Sequence, residues 1–326
     1  MKLATYRDGS DVKLGAVHKG DQRILDLAAA AGRSGAPAPA FASMLALIDA
    51  GPAALDAAHT LAERYADDTD LNHDVGAVKL LSPVPRPRQI RDFSVFPGHI
   101  RQAPAGMQRL LARQRGDNAA AAAVRPADDV PPVYRAQPIY YKANRFSVIG
   151  TDETVRWPRY SQVMDFELEF GVFLGKGGAD IAKGQARRHI FGFAIFNDFS
   201  ARDAQFTEMQ GMLGPCKGKD FDTGNAIGPW LVTADEIADP YALSMSVRVN
   251  GETWASGTSA EMLHGFEDMI AFVSRDETLH AGEFFGSGTM GNGCGLELDR
   301  FLKHGDAVEL EVERIGVLRN TVVRQD

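Results

Sequence analysis

The stretch "MDFELEFGVFLG", residues 164–175, decides how the chain is read. Phe166, Leu168, Phe170 and Val172 alternate with Glu167, Glu169, Gly171 and Phe173. A strand turns successive side chains to opposite faces, so Glu167 and Glu169 share a face, roughly 7 Å apart along the backbone. The run is otherwise too apolar for a solvated edge. Two like charges on such a strand have three explanations. They hold a divalent metal, they pair with buried arginines, or the strand is half-exposed.

Further carboxylates weigh toward the metal. In "IFNDFSARDAQ" (195–205) an apolar strand ends in Asn197-Asp198, which puts Asp198 at a strand end. The plainer role for Asp198 is to cap the following turn. "QIRDFSVFPGH" (89–99) offers Asp92 on another short apolar segment. Four carboxylates from separate segments, with no Cys/His ligand set, make a hard oxygen site. Such a site suits Mg²⁺, Ca²⁺ or Mn²⁺ rather than zinc.

Composition bounds the remaining classes. The chain has 326 residues, 44% of them hydrophobic and 24% charged, enough for one large core or a large domain with a small companion. A formal net charge of −8 and the lack of any Lys/Arg run argue against a nucleic-acid partner. "MKLATYRDGSDVKLG" at the start lacks a signal peptide's apolar core, and no apolar run is long enough to span a bilayer. A cytoplasmic protein without a membrane partner is expected. Cys216 and Cys294 are too few for a disulfide framework, and Cys294 reads as a buried structural thiol.

Residues 1–85 read as a small β-rich unit. "KLATYR", "KLGAVHK" and "RILDLA" are strand candidates, and an Ala-rich helical stretch covers 36–65. "LLSPVPRPRQ" (80–89) holds three prolines in five residues and reads as a connector. Residues 86–326 form the larger unit. Within it, 103–138 is an excursion, helical over "GMQRLLARQR" and loop-like over "GDNAAAAAVRPADDVPPV", serving as a lid or as a surface insertion. "SAEMLHGFEDMIAFVSR" (259–275) predicts one helix capped by Ser259, with Met262, Phe266, Met269, Ile270 and Val273 on one face. "AVELEVERIGVLRN" predicts a single alternating strand.

Four stretches in order, "DFELEFGVFLG", "FNDFSARDAQ", "GKDFDTGNAIGPWLV" and "GSGTMGNGCGLE", make the chain resemble the fumarylacetoacetate hydrolase family from about residue 90 to the end. The resemblance implies a mixed α+β, β-rich fold: a fumarylacetoacetate hydrolase-type β-roll with a small N-terminal β-barrel-like domain, assembled as a homodimer. It implies Asp92, Glu167, Glu169 and Asp198 as metal ligands, His99 as general base and Glu297 as the acid that orients it. Arg202, Gln205 and Lys219 match substrate-polarising positions. Thr223, Thr289 and, more loosely, Tyr141 match substrate contacts. Ser94 and Asp222 depart from the founding type, which leaves the metal set intact and moves the substrate.

The activity so implied is metal-dependent hydrolysis of a C–C bond in an acylpyruvate or related β-diketo acid. Histidine titrates near neutral pH and can take a proton from water, while a carboxylate holds the ring in one tautomer. Lys219, Arg202 and Gln205 are expected to stabilise the developing oxyanion. The same residues suit decarboxylation of a β-keto acid of the oxaloacetate type, or hydration or isomerisation of an oxo-enoic acid. A small-molecule-binding module without catalysis is the rival from another class; an oriented base argues against it. "GSGTMGNG" lacks the G-K-[ST] ending of a phosphate loop and reads as tight backbone turns near the site.

Overall fold

The glutamate stretch forms two strands. Met164–Asp165 pairs with Ser200–Ala201, and Leu168–Leu174 pairs with Ile190–Asp198, leaving Phe166 and Glu167 at the junction. The computed structural model describes residues 1–35 and 38–325, so Ala36 and Pro37 of the Ala-rich stretch lie outside the described residues. Leu168–Leu174 sits between Ile190–Asp198 and Phe284–Gly286, and every one of its residues is buried. That removes the half-exposed reading of Glu169. Phe170 meets Phe266 edge-on at 5.2 Å between ring centroids, a pairing that contributes about 0.5–1.5 kcal/mol beyond its buried area. Gly171 is required by packing, because a Cβ there would lie 2.4 Å from the Phe285 carbonyl oxygen.

These strands belong to a twelve-stranded sheet. Its path runs Asn72–Asp74, Arg23–Asp26, Asp11–His18, Lys2–Asp8, Asn225–Thr233, Ile190–Asp198, Leu168–Leu174, Phe284–Gly286, Ile90–Phe93, Tyr140–Ala143. The three strands expected near the N-terminus are present, and Lys2–Asp8 joins Asn225–Thr233. The path is open, so the N-terminal strands extend the main sheet, and the barrel-like closure expected of them is absent among the described residues. The described part of the Ala-rich stretch holds the helices Met44–Ala50 and Pro52–Arg64. No helix or strand lies between Leu80 and Ile90, as the prolines dictate. A second sheet orders Glu252–Thr258, Ser244–Val249, Ala307–Val312, Gly316–Arg324 and Thr154–Trp157. The chain is thus mixed α+β and β-rich. No described helix is long and apolar enough to cross a membrane.

Further sequence expectations change. The predicted helix 259–275 is a 3₁₀ turn, Ser259–Glu261, followed by a separate helix, Phe266–Val273. The break arises because Leu263 N–H donates to the Val95 carbonyl, and Asp268 caps the second helix by accepting from Gly265 N–H. Ser259 instead accepts from Leu243 N–H at 2.9 Å, and Met262 lies outside the helix. "AVELEVERIGVLRN" is a hairpin, Ala307–Val312 against Gly316–Arg324, turning through residues 313–315 with Arg314 at φ +65°. The loop-like part of the excursion contains the short helices Asn118–Ala123 and Pro132–Ala136.

The helix read as starting at Gly106 starts at Pro97 and runs to Gln114. Pro97 suits a first helical position, and Pro104 inside the helix makes the sequence look broken. Two glycines dock this helix. A Cβ at Gly98 would lie 2.9 Å from Gly291 Cα, and one at Gly106 would lie 2.2 Å from the Leu296 carbonyl oxygen. The helix therefore lies backbone to backbone against the segment carrying Glu297, and its first turn carries His99.

Gly106→Ala tests this packing through its sign. In an exposed helix the change stabilises by up to about 1 kcal/mol. Here it forces helix and loop apart and is expected to destabilise by about 1–3 kcal/mol, read as a lower midpoint of thermal unfolding. An unchanged or higher midpoint sinks the docking.

Candidate active site

Asp92, Glu167, Glu169 and Asp198 each bring a carboxylate oxygen to one place, all within 4.8 Å of one another, and all four residues are buried. Three strands carry Asp92, Glu169 and Asp198, and the junction ahead of Leu168 carries Glu167. Asp92 pairs in parallel with Gly286 and antiparallel with Tyr141. Gly286 has no Cβ to intrude, since one would stand 2.6 Å from Asp92 Oδ1. Asp198 ends its strand as the sequence predicts. Glu167 sits at the strand junction, where its backbone bridges Cys294 and its N–H donates to Asn197 Oδ1 at 3.0 Å. Glu169 Oε2 accepts from Gly288 N–H at 2.9 Å, and Thr289 Oγ1 donates to Oε1 at 3.4 Å. Gly288 holds φ at +78°, and a Cβ there would meet the Phe93 carbonyl at 2.1 Å. "GSGTMGNG" is thus a run of tight turns around a carboxylate.

Two cations are buried with these acids. Lys219 Nζ lies 2.6 Å from Glu167 Oε2 and 2.6 Å from Asp198 Oδ2. Arg202 lies 2.8 Å from Glu167 Oε1 through Nη1, and its Nε donates to Asp165 Oδ2 at 2.8 Å. Gln205 Oε1 accepts from Arg202 Nη1 at 2.9 Å, and Tyr141 donates its hydroxyl to Asp198 Oδ2 at 2.6 Å. Thr223 is not drawn into this network; its hydroxyl accepts from Arg156 N–H at 2.8 Å.

Asp165 is the residue that sequence reasoning missed. It is fully buried, binds Arg202, and accepts from the backbone N–H groups of Gly295 and Leu296 at 2.7 and 2.9 Å. It thereby ties the carboxylate cluster to the turn that carries Glu297. The signal was present: Asp165, Glu167 and Glu169 share one parity in the same strand pattern.

Electrostatics separates the acids. Burial alone would raise Glu167, but Lys219, and then Arg202, outweigh it and take the carboxyl down to about 2. Asp92 is pushed well up by burial and then by Asp198, and Glu169 by burial and then by Asp92. Asp198 is raised by burial despite Lys219. Five buried carboxyl groups, counting Asp165, share two buried cations. Asp92 Oδ1 and Asp198 Oδ1 are buried without any hydrogen-bond partner. An all-oxygen donor set with surplus negative charge and two orphaned oxygens fits a hard divalent cation.

Beside this cluster stands a second group. His99 Nδ1 lies 3.4 Å from Glu297 Oε2, and Glu297 is buried. The Cys294 thiol donates to the same Oε2 at 3.3 Å. A Cβ at Gly295 would strike the Arg300 carbonyl at 1.9 Å and Asp165 Oδ1 at 2.5 Å, so only glycine lets the Glu297 turn close onto Asp165.

Residues 111–323 match the family model described as the C-terminal domain of fumarylacetoacetate (FAA) hydrolase. The human mitochondrial protein named oxaloacetate tautomerase FAHD2A is 40% identical over 190 residues, 57% of this chain and 59% of that protein. The chain therefore spans little more than half the length of such relatives. Among solved structures, fumarylacetoacetate hydrolase from Exiguobacterium antarcticum is 25% identical with a TM-score of 0.72, covering 100% of both chains. Maleylpyruvate hydrolase from Sphingobium sp. SYK-6, in complex with manganese(II) and pyruvate, shares the fold at 22% identity and a TM-score of 0.71, again over 100% of both chains.

The raised acids give stability a definite pH dependence. A carboxyl whose folded pKa exceeds its unfolded value binds more protons folded, so stability falls as pH rises from the unfolded value through the folded one. For Asp92 and Glu169 that window begins near the ordinary carboxyl values of 3.8 and 4.5. Metal-free protein is expected to melt at a lower temperature at pH 8 than at pH 5. A divalent cation at 100 times its pH 8 Kd should restore about 2.7 kcal/mol at pH 8, and the same concentration less at pH 5. A metal-free melting temperature that rises over this range, with no gain on adding Mg²⁺ or Mn²⁺, counts against a cation at this site.

Proposed function

The chain belongs to the fumarylacetoacetate hydrolase family, and from that premise we propose an enzyme that moves a proton at the carbon next to the carbonyl of a small 2-oxo acid of the oxaloacetate or acylpyruvate type. The observation that carries this reading is the placement of His99 and Glu297 beside the four-carboxylate cluster. A base held by a buried acid and set against a cation site is what enolisation requires. A binder without catalysis has no use for it.

In this reading Asp92, Glu167, Glu169 and Asp198 hold Mg²⁺, Mn²⁺ or Ca²⁺. When bound, that cation supplies Lewis-acid polarisation of a substrate oxygen. His99 takes the proton at a ring nitrogen, and Glu297 Oε2, 3.4 Å from Nδ1, holds the ring in place and balances the charge it gains. Lys219 and Arg202 are already committed to Glu167, Asp198 and Asp165, so their first task is to hold the ligands. Arg202 Nη2 is buried without a partner and is the donor left for a substrate oxygen. Tyr141 and Thr289 touch the cluster through Asp198 and Glu169, and in this reading they contact the substrate.

The 40% identity to a protein named oxaloacetate tautomerase supports keto–enol exchange as the first activity to assay. Hydrolytic C–C cleavage of an acylpyruvate is the second reading, since His99 is equally placed to take a proton from water. Oxaloacetate and acylpyruvates are assayed with and without EDTA, by enol absorbance and by product analysis, which also detects decarboxylation or isomerisation. His99→Ala is expected to lower the favoured rate by about 10²–10⁴-fold. A wild-type rate in this variant removes His99 from the chemistry.

A further inference from the structure

Three different donor atoms converge at the His99–Glu297 pair. Cys294 Sγ is 3.3 Å from Glu297 Oε2 and 3.9 Å from His99 Nδ1, and Nδ1 is 3.4 Å from Oε2. These are the same three atoms in each distance, so they form a closed triangle. Zinc bonds to sulfur at about 2.3 Å and to nitrogen or oxygen at about 2.0–2.1 Å, which places tetrahedral ligands about 3.3–3.6 Å apart. The observed triangle meets that spacing to within a few tenths of an ångström. Glu297 Oε1 is buried with no hydrogen-bond partner, so the carboxylate is not fully satisfied by the protein.

We propose that His99, Cys294 and Glu297 form a second metal site, selective for borderline-soft divalent cations of the zinc class, whose occupation silences the enzyme. Its donor set is nitrogen, sulfur and oxygen, whereas the neighbouring cluster offers oxygen alone; the two sites therefore sort cations by softness. Mg²⁺ has no preference for a thiolate and stays with the carboxylates. Binding at the second site deprotonates Cys294 and releases that proton to solvent, leaving one dication balanced by a thiolate and a carboxylate. The fourth ligand is water, admitted on the side where the His99 side chain is 14% exposed. Silencing follows because the ring nitrogen and the carboxylate that handle the proton become ligands; that consequence, unlike the binding, rests on His99 acting as the base.

The test reads binding without relying on turnover. Protein carrying Cys216→Ser, to remove the exposed thiol, is kept in saturating Mg²⁺ and titrated with Co²⁺. A thiolate-to-cobalt charge-transfer absorption saturating at one equivalent is expected, and Cys294→Ser should abolish it. Should that variant fail to fold, His99→Gln and Glu297→Gln are each expected to weaken cobalt binding by at least about 10-fold. Under the same Mg²⁺ saturation, Zn²⁺ should lower kcat by about 10²-fold or more, reversed by chelation and return of Mg²⁺. No thiolate band in the Cys216→Ser protein, or a band that survives Cys294→Ser, overturns the site. A band accompanied by full activity overturns the silencing. If no oxo acid is turned over at all, the cobalt spectrum still decides the site, so the two failures are distinct.

Discussion

Five carboxyl groups buried against two cations are the constraint on which the rest of this structure depends. Such an arrangement is unfavourable by itself, because desolvation and mutual repulsion both act against the charged forms. Glu167 escapes by binding Lys219 and Arg202. Asp92 and Glu169 do not, and are pushed toward their neutral forms. Among the described residues no further cation pairs with these two acids, and Asp92 Oδ1 and Asp198 Oδ1 are left unpaired. The sheet is built to tolerate this, with strands buried on both faces and aromatic pairs closing around them.

The cluster is tied to the His99–Glu297 pair by backbone, not by side-chain contacts alone. Leu168 N–H donates to the Gly293 carbonyl at 2.9 Å, and Met290 N–H to the Leu168 carbonyl at 3.0 Å. The loop that feeds Glu169 its Gly288 N–H therefore also sets the start of the Glu297 turn. Asp165 closes the circuit from the other side, through Arg202 and the Gly295 and Leu296 N–H groups. Glycines at 98, 106, 288 and 295 allow backbones to meet where any Cβ would collide. His99 is placed by a helix packed in this way. The first part of the 103–138 excursion is for that reason part of the site's frame.

Much of this was legible in the sequence, and the parts that were not have physical reasons. The parity of Glu167 and Glu169 pointed to one face, and the apolar run into Asp198 pointed to a strand end; both hold. Tyr141 could not be placed from spacing, because its position is fixed by pairing with Asp92, a contact no local pattern encodes. Asp165 shares the parity of Glu167 and Glu169, but its partners Arg202, Gly295 and Leu296 are distant in sequence, so no local pattern marks it. Pro104 hid the true start of the His99 helix, because a proline within a helical pattern reads as a break. The hairpin after Ala307 hid because its turn sets Arg314, rather than a glycine or asparagine, at a positive φ of +65°.

The central claim is that the buried negative charge exists to hold a divalent cation beside His99. Anomalous diffraction from crystals of the manganese-loaded protein tests this directly. The account predicts one strong peak bounded by Asp92, Glu167, Glu169 and Asp198, with the two orphaned oxygens facing it. A manganese peak elsewhere, or none among these four carboxylates in a loaded crystal, would contradict it.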